Sequence, residues 1–136
     1  DGLLAQCGID LDTHRGEIAA GNLSALCDCP FVLGSAEDIG GRIGRGLLRS
    51  SGVSPVSKAT SENVETLLAL CEQGVGACFC PENLLHTALS PEQLAHLHIL
   101  PLCPEASYPI CFGYLSRSYP WSVLSEFIRI AREQTA

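Results

Sequence analysis

The chain has 136 residues, with 8 basic and 15 acidic side chains, a formal net charge of −7, 46% hydrophobic residues and 17% charged residues. That apolar content excludes a disordered chain, and the length suits one domain. With a single lysine and a net negative charge, a nucleic-acid-binding domain, which neutralises phosphates with clustered Lys and Arg, is disfavoured.

In chain order, Leu3 to Cys7 reads as a short apolar strand, and residues 8–29 are mixed, with Gly21 and Asn22 as turn signals. Pro30 to Gly34 reads as a short buried strand. Ser35 is then expected to cap a helix, with Glu37 and Asp38 in its first turn. Ile39, Ile43 and Leu47 recur every four residues and predict its buried face, and Gly52 its end.

Residues 55–60 suit a weak strand, and Thr60 or Ser61 the cap of the next helix. Val64, Leu67, Leu68 and Cys71 form an amphipathic stripe that stops at Gly74. Val75 to Cys80 reads as a buried parallel strand, and Pro81 opens a short helix to about Leu89. Ser90-Pro91-Glu92-Gln93 has the pattern of a capping box with proline at the first helical position. Leu97 to Leu102 and Tyr108 to Leu115 read as strands. Trp121, Leu124, Ile128 and Ala131 mark one face of a final helix. Alternation of this kind predicts an α/β fold with a mainly parallel sheet.

Eight cysteines are present, and none falls in a CxxC pair. Cys27 and Cys29, like Cys78 and Cys80, are two apart and would share one face of a strand. Buried, reduced core thiols in a cytosolic protein fit this better than a disulfide scaffold or zinc site. No apolar run approaches a membrane-spanning length, and no secretory leader is evident. The opening Asp1-Gly2, without methionine, suggests a piece of a longer protein.

Gly41-Arg-Ile-Gly44-Arg-Gly46 resembles a phosphate loop only superficially. It falls inside a helix and lacks the Lys-Ser/Thr that such loops need, so close helix packing is its expected role. Arg42, Arg45 and Arg49 form a basic stripe, either a solvated face or a dock for an acidic partner. His96 and His98 would share a strand face, but no third ligand is near in sequence, and no metal or other cofactor is expected. Nothing like a nucleophile elbow occurs, and thiols in apolar surroundings are poor nucleophiles.

In open α/β sheets, ligands bind beyond the carboxyl ends of the strands. Those ends are Gly34-Ser35, Thr60-Ser61 and Cys80-Pro81, and two of them lead into helix N-termini. Ser35, Thr60, Ser61 and Asn63 offer side-chain hydrogen bonds there, or serve as ordinary caps. Glu37, Asp38 and Glu62 would repel a carboxylate, so a neutral or amine-bearing ligand is equally compatible.

Pro30-Phe-Val-Leu, Gly41-Arg and the run from Ser61 through Gly74-Val75-Gly76 to Cys78-Phe-Cys-Pro81 together resemble the effector-binding domain of LysR-type transcriptional regulators. The resemblance covers residues 30–132. It implies a periplasmic-binding-protein-like α/β lobe, a mainly parallel sheet flanked by helices, over residues 1–104. A strand and C-terminal helix returning to an incomplete first lobe would occupy residues 105–136. It places a small-molecule effector against Gly34, Ser35, Thr60, Ser61, Asn63, Phe79, Cys80 and Pro81, with no catalysis. The implied protein is cytoplasmic and contacts no membrane. The DNA-binding domain and half of the first lobe would lie outside these residues, so this part makes no direct DNA contact. An orphaned apolar face at Trp121, Leu124 and Ile128 would favour a homo-oligomer, by segment exchange or otherwise. Two other classes share these features. One is a lobe of a solute-binding transport protein, marked by an export signal in the parent. The other is a small α/β enzyme using a thiol, marked by an accessible cysteine of low pKa.

Overall fold

The computed structural model describes residues 2–102, 111, 113 and 121–135. Its elements in chain order are α1 (Gly2–Gln6), α2 (Leu11–Ala19), a 3-10 turn (Ser24–Leu26), β1 (Pro30–Gly34), α3 (Ile39–Ser50), β2 (Val56–Ser61), α4 (Val64–Glu72), α5 (Glu82–Ala88), α6 (Pro91–Ala95) and α7 (Ser122–Thr135). The fold is α/β and rich in helix. Among the described residues its sheet has two strands, β1 and β2, paired in parallel.

β1 is the centre of the molecule. Phe31, Val32 and Leu33 are all buried, because both faces of the strand are covered. β2 runs beside it with Leu33 opposite Thr60 and Gly34 opposite Ser61. The register slips between Phe31 and Val32, so Lys58 is passed over. On the other side of β1, residues 76–80 approach closely. Val32 N–H donates to Ala77 O and Ala77 N–H to Pro30 O, both at 2.9 Å. A single parallel bridge, Phe31 to Ala77, results.

The predicted strand Val75 to Cys80 is therefore reduced to one bridge. Gly74 and Gly76 precede it, Pro81 ends it, and the Phe79 ring is seated against Phe31, with centroids 6.1 Å apart. Side chains still alternate along the segment. Ala77 and Phe79 pack on the cluster around Phe31, Leu33, Leu48 and Ile18. Cys78 and Cys80 pack on a second cluster of Leu68, Leu85 and Leu89.

Other predictions are corrected at their ends. Leu3 to Cys7 is not a strand: the run has no β-branched residue, and Leu3, Leu4, Ala5 and Gln6 are good helix formers, which α1 uses. Leu97 to Leu102 is irregular, since Pro101 lacks a ladder donor; Leu97 joins the second cluster while Leu100 and Leu102 join the first. Ser35 does not cap α3. Asp38 does, accepting from Gly40 N–H at 3.0 Å and Gly41 N–H at 3.3 Å. Neither Thr60 nor Ser61 caps α4, as both remain in β2. Asn63 caps it, accepting from Glu65 N–H at 2.8 Å and Thr66 N–H at 3.3 Å. Competing oxygens close to a helix start are resolved by which residue still has extended backbone, and Asp38 and Asn63 do.

The α4 stripe and the capping box of α6 form as predicted, with Leu67 and Leu68 buried and the Ser90–Gln93 bonds reciprocal. Gly52 and Gly74 follow the C-caps of α3 and α4 at φ of +72° and +73°, a conformation glycine reaches without strain. The predicted face of α3 holds in part, with Leu47 packed on the first cluster and Ile43 half-buried, but it is shared with glycines. Gly41, Gly44 and Leu48 are buried, whereas Ile39 is 40% exposed. The expected strand Tyr108 to Leu115 lies almost wholly outside the described residues.

Candidate functional site

Parallel pairing brings Gly34 and Ser61 side by side, so two of the three predicted strand ends meet. The third, Phe79-Cys80-Pro81, continues the segment bridged to the opposite edge of β1 and leads into α5, with Pro81 as its N-cap. Gly34, Ser35, Ser61, Phe79, Cys80 and Pro81 are half-buried, and Thr60 and Asn63 are exposed.

The polar groups here are engaged in local turns. Ser35 Oγ accepts from Glu37 N–H at 3.3 Å, and Ser61 Oγ accepts from Asn63 N–H at 3.0 Å. Each hydroxyl still has a proton to donate outward. Asn63 Oδ1 is committed to the α4 N-terminus, which leaves its amide nitrogen for a ligand.

Helix α3 is set against these ends by its glycines. A Cβ at Gly41 would lie 2.0 Å from Ser35 O and 2.8 Å from Gly34 O. A Cβ at Gly44 would lie 2.5 Å from Phe79 Cδ2. The glycine motif thus serves close packing at these two positions, while Gly46 meets open space. The same approach explains how α3 packs: Gly41 lets its backbone sit on the β1–α3 turn, and Gly44 lets it sit on the Phe79 ring.

Arg45 has a role that sequence reasoning missed. Its guanidinium donates to Gly34 O, with Nη1 also 3.4 Å from Gly41 O, and the side chain is half-buried. Arg42 and Arg49 remain exposed, so the basic stripe is interrupted. The signal was the spacing: Arg45 is four residues beyond Gly41, one helical turn, on the side that faces the strand end.

Two concavities flank this region. One, of about 430 Å³, is lined by Glu62, Asn63, Val64, Glu65, Leu84, Thr87 and Ala88. It shares only Asn63 with the predicted set. The other, of about 280 Å³, lies between Arg45, Arg49, Val53, Ser54 and Pro55.

The thiols divide by environment. Cys29 is buried and Cys27 is exposed, so that pair does not share a face; it lies in the turn before β1 rather than in a strand. Burial pushes the Cys29 thiol up to about 12. Cys80 is raised by burial as well. Cys78 is raised because its thiol donates to Cys71, and Cys71 is correspondingly lowered to about 7. Cys71 thus shifts in the opposite direction to Cys29, Cys78 and Cys80. Cys111 is exposed, unlike a core thiol, and Cys103 lies outside the described residues. His96 ends α6 and His98 follows in irregular chain, so they share no strand face. Among the described residues, no three His, Cys, Asp or Glu side chains cluster as metal ligands, and no helix is long and apolar enough to cross a membrane.

Compared with known families, residues 14–136 match the LysR substrate binding domain. No curated protein and no solved structure matches the chain.

Proposed function

The chain belongs to the LysR substrate binding domain family, and on that premise we propose that it is the effector-sensing part of a LysR-type transcriptional regulator. The family match, spanning most of the chain, is the observation that carries this reading. Residues 1–104 form the second lobe of a periplasmic-binding-protein-like domain, and residues 105–136 return to the first. The role is regulatory and cytoplasmic, without catalysis or cofactor. DNA contact falls to a separate domain of the regulator.

The effector site is the strand-end group Gly34, Ser35, Thr60, Ser61, Asn63, Phe79, Cys80 and Pro81. The adjacency of Gly34 and Ser61 supports it, as do the hydroxyl donors of Ser35 and Ser61. Exposed Glu37 and Glu62 favour a small neutral or amine-bearing effector over a polyanion. Binding between lobes would shift their packing, and so DNA affinity, to the extent that the effector prefers one arrangement.

Self-association is part of the proposal. Trp121, just before α7, is 68% exposed, and on α7 Val123 is exposed while Leu124 and Ile128 of the expected face are half-buried. Light scattering of the chain at high concentration should show a dimer or larger species; a strictly monomeric solution removes this element.

The effector reading is tested by thermal shift on the intact regulator, with a panel of small amines, neutral polar compounds and carboxylates. A true effector at about 100 times its Kd stabilises the folded state by about 2.7 kcal/mol. Thr60→Ala, exposed and outside both helix caps, should weaken that shift without lowering the basal Tm. An effector whose shift is indifferent to changes at Thr60 and Cys80 would move the site elsewhere.

A further inference from the structure

The chain carries a net charge of −7, yet residues 39–61 hold Arg42, Arg45, Arg49 and Lys58 and no acid. Two of these cations, Arg45 and Arg49, line the concavity of about 280 Å³ that α3 forms with Val53, Ser54 and Pro55 of the following loop. They are one helical turn apart and so stand on the same side of α3. The loop is held by its own backbone. Gly52 N–H donates to Arg49 O at 3.0 Å, Val53 N–H donates to Leu48 O at 2.8 Å, and Val53 is buried in the cluster around Phe31. Those bonds also occupy helix-end carbonyls that would otherwise oppose an anion.

Donors at this concavity are unspent. Arg45 gives Nη1 to Gly34 O and Gly41 O, which fixes its guanidinium and leaves Nε and Nη2. Arg49 is exposed, and among the described residues its side chain has no hydrogen-bond or ion-pair partner. The hydroxyl and the N–H of Ser54 are likewise without a partner among the described residues.

We propose that this concavity binds a small dianionic oxyanion, inorganic phosphate or a phosphomonoester, between the guanidiniums of Arg45 and Arg49 and the donors of Ser54. A guanidinium presents paired N–H groups that match two oxygens of a phosphate. Two cations balance a dianion, whereas a single carboxylate leaves one of them uncompensated. The bonds that hold Arg45 in place mean that less freedom is lost when the anion arrives. Glu37 and Glu62, which disfavour a polyanion at the strand ends, do not line this space. The site shares no residue with the strand-end group, so it stands or falls apart from the effector reading. The two meet at one bond: an anion drawing on Arg45 bears on the contact of that side chain with Gly34 O.

The test titrates sodium phosphate into the whole, nitrogen-15-labelled chain at constant pH and ionic strength, with chloride exchanged for phosphate. Amide signals of Arg49, Val53 and Ser54 should shift and saturate, and glycerol phosphate should move the same set. Acetate over the same range should not saturate them. Arg49→Ala should weaken phosphate about tenfold or more, and Ser54→Ala about threefold. Arg42→Ala, on the same helix but outside the concavity, should leave the affinity within about twofold. Shifts that do not saturate or that fall elsewhere, equal binding of acetate, or an equal loss in Arg42→Ala overturns the proposal. If Arg49→Ala does not fold, the wild-type comparison of phosphate with acetate decides by itself.

Discussion

β1 and β2 pair with one another from end to end, yet they live in different solvents. Phe31, Val32 and Leu33 of β1 are nearly inaccessible, whereas Val56, Ser57 and Lys58 of β2 are exposed and Val56 is 51% accessible. The ladder is common to both, so hydrogen bonding does not make the difference. What differs is the second neighbour. β1 has residues 76–80 on its far side and clusters on its faces, while β2 has no further strand among the described residues. An edge strand carries polar residues, a lysine and a register slip, features that discourage pairing with other chains. A central strand is free to be PFVLG.

Breaking this contrast should give its largest effect at Phe31. Phe31→Ala removes a buried ring stacked on Phe79 and is expected to cost about 3–5 kcal/mol, against less than about 0.5 kcal/mol for Val56→Ala on the edge. Urea unfolding of the two variants checks it, and equal losses would mean that the edge strand is covered in solution.

A smaller contrast lies within α3. Gly41→Ala drives a methyl into Ser35 O and Gly34 O, which are backbone and cannot rotate away, so a loss of about 2 kcal/mol or more is expected. Gly46→Ala meets open space in the same helix and should stabilise by about 0.5–1 kcal/mol. Paired denaturation curves give both signs at once.

The last effect is confined to alkaline pH. The Cys29 thiol is raised from 9.0 to about 12 by burial, so the unfolded chain loses this proton first. Its contribution to stability is complete below pH 9 and is lost as pH rises from about 9 to 12. Cys29→Ala should flatten that part of the alkaline stability profile relative to wild type; an unchanged slope would show that Cys29 is wetter than its 1% exposure.

Local patterns were legible where one residue type answers one local need. The α4 stripe, the Ser90 capping box, the glycine stops and the buried β1 run each follow from periodicity or cap chemistry alone. The misreadings share a cause. On α3 the periodicity of Ile39, Ile43 and Leu47 finds the packed Leu47 but also points to the exposed Ile39 and passes over Gly41 and Gly44, because hydrophobicity scales do not register a glycine that must approach a backbone or a ring. The caps were placed at Ser35 and at Thr60 or Ser61, because several oxygens compete and the one that wins depends on where the strand stops. Arg45 looked like part of a charged surface until Gly34 O was in its reach.

From the sequence alone come the family, the α/β character, the central strand and the order in which strand ends meet helices. Those are properties of composition, periodicity and short motifs, which the chain carries without reference to distant residues. Tertiary structure decided the rest: how the face of α3 packs, how far the sheet extends past β1, and which oxygen Arg45 reaches. Each depends on a contact between segments, Gly41 with Ser35, Ala77 with Phe31, Arg45 with Gly34, and the energies of such contacts are set by distance and burial that no single stretch of sequence contains.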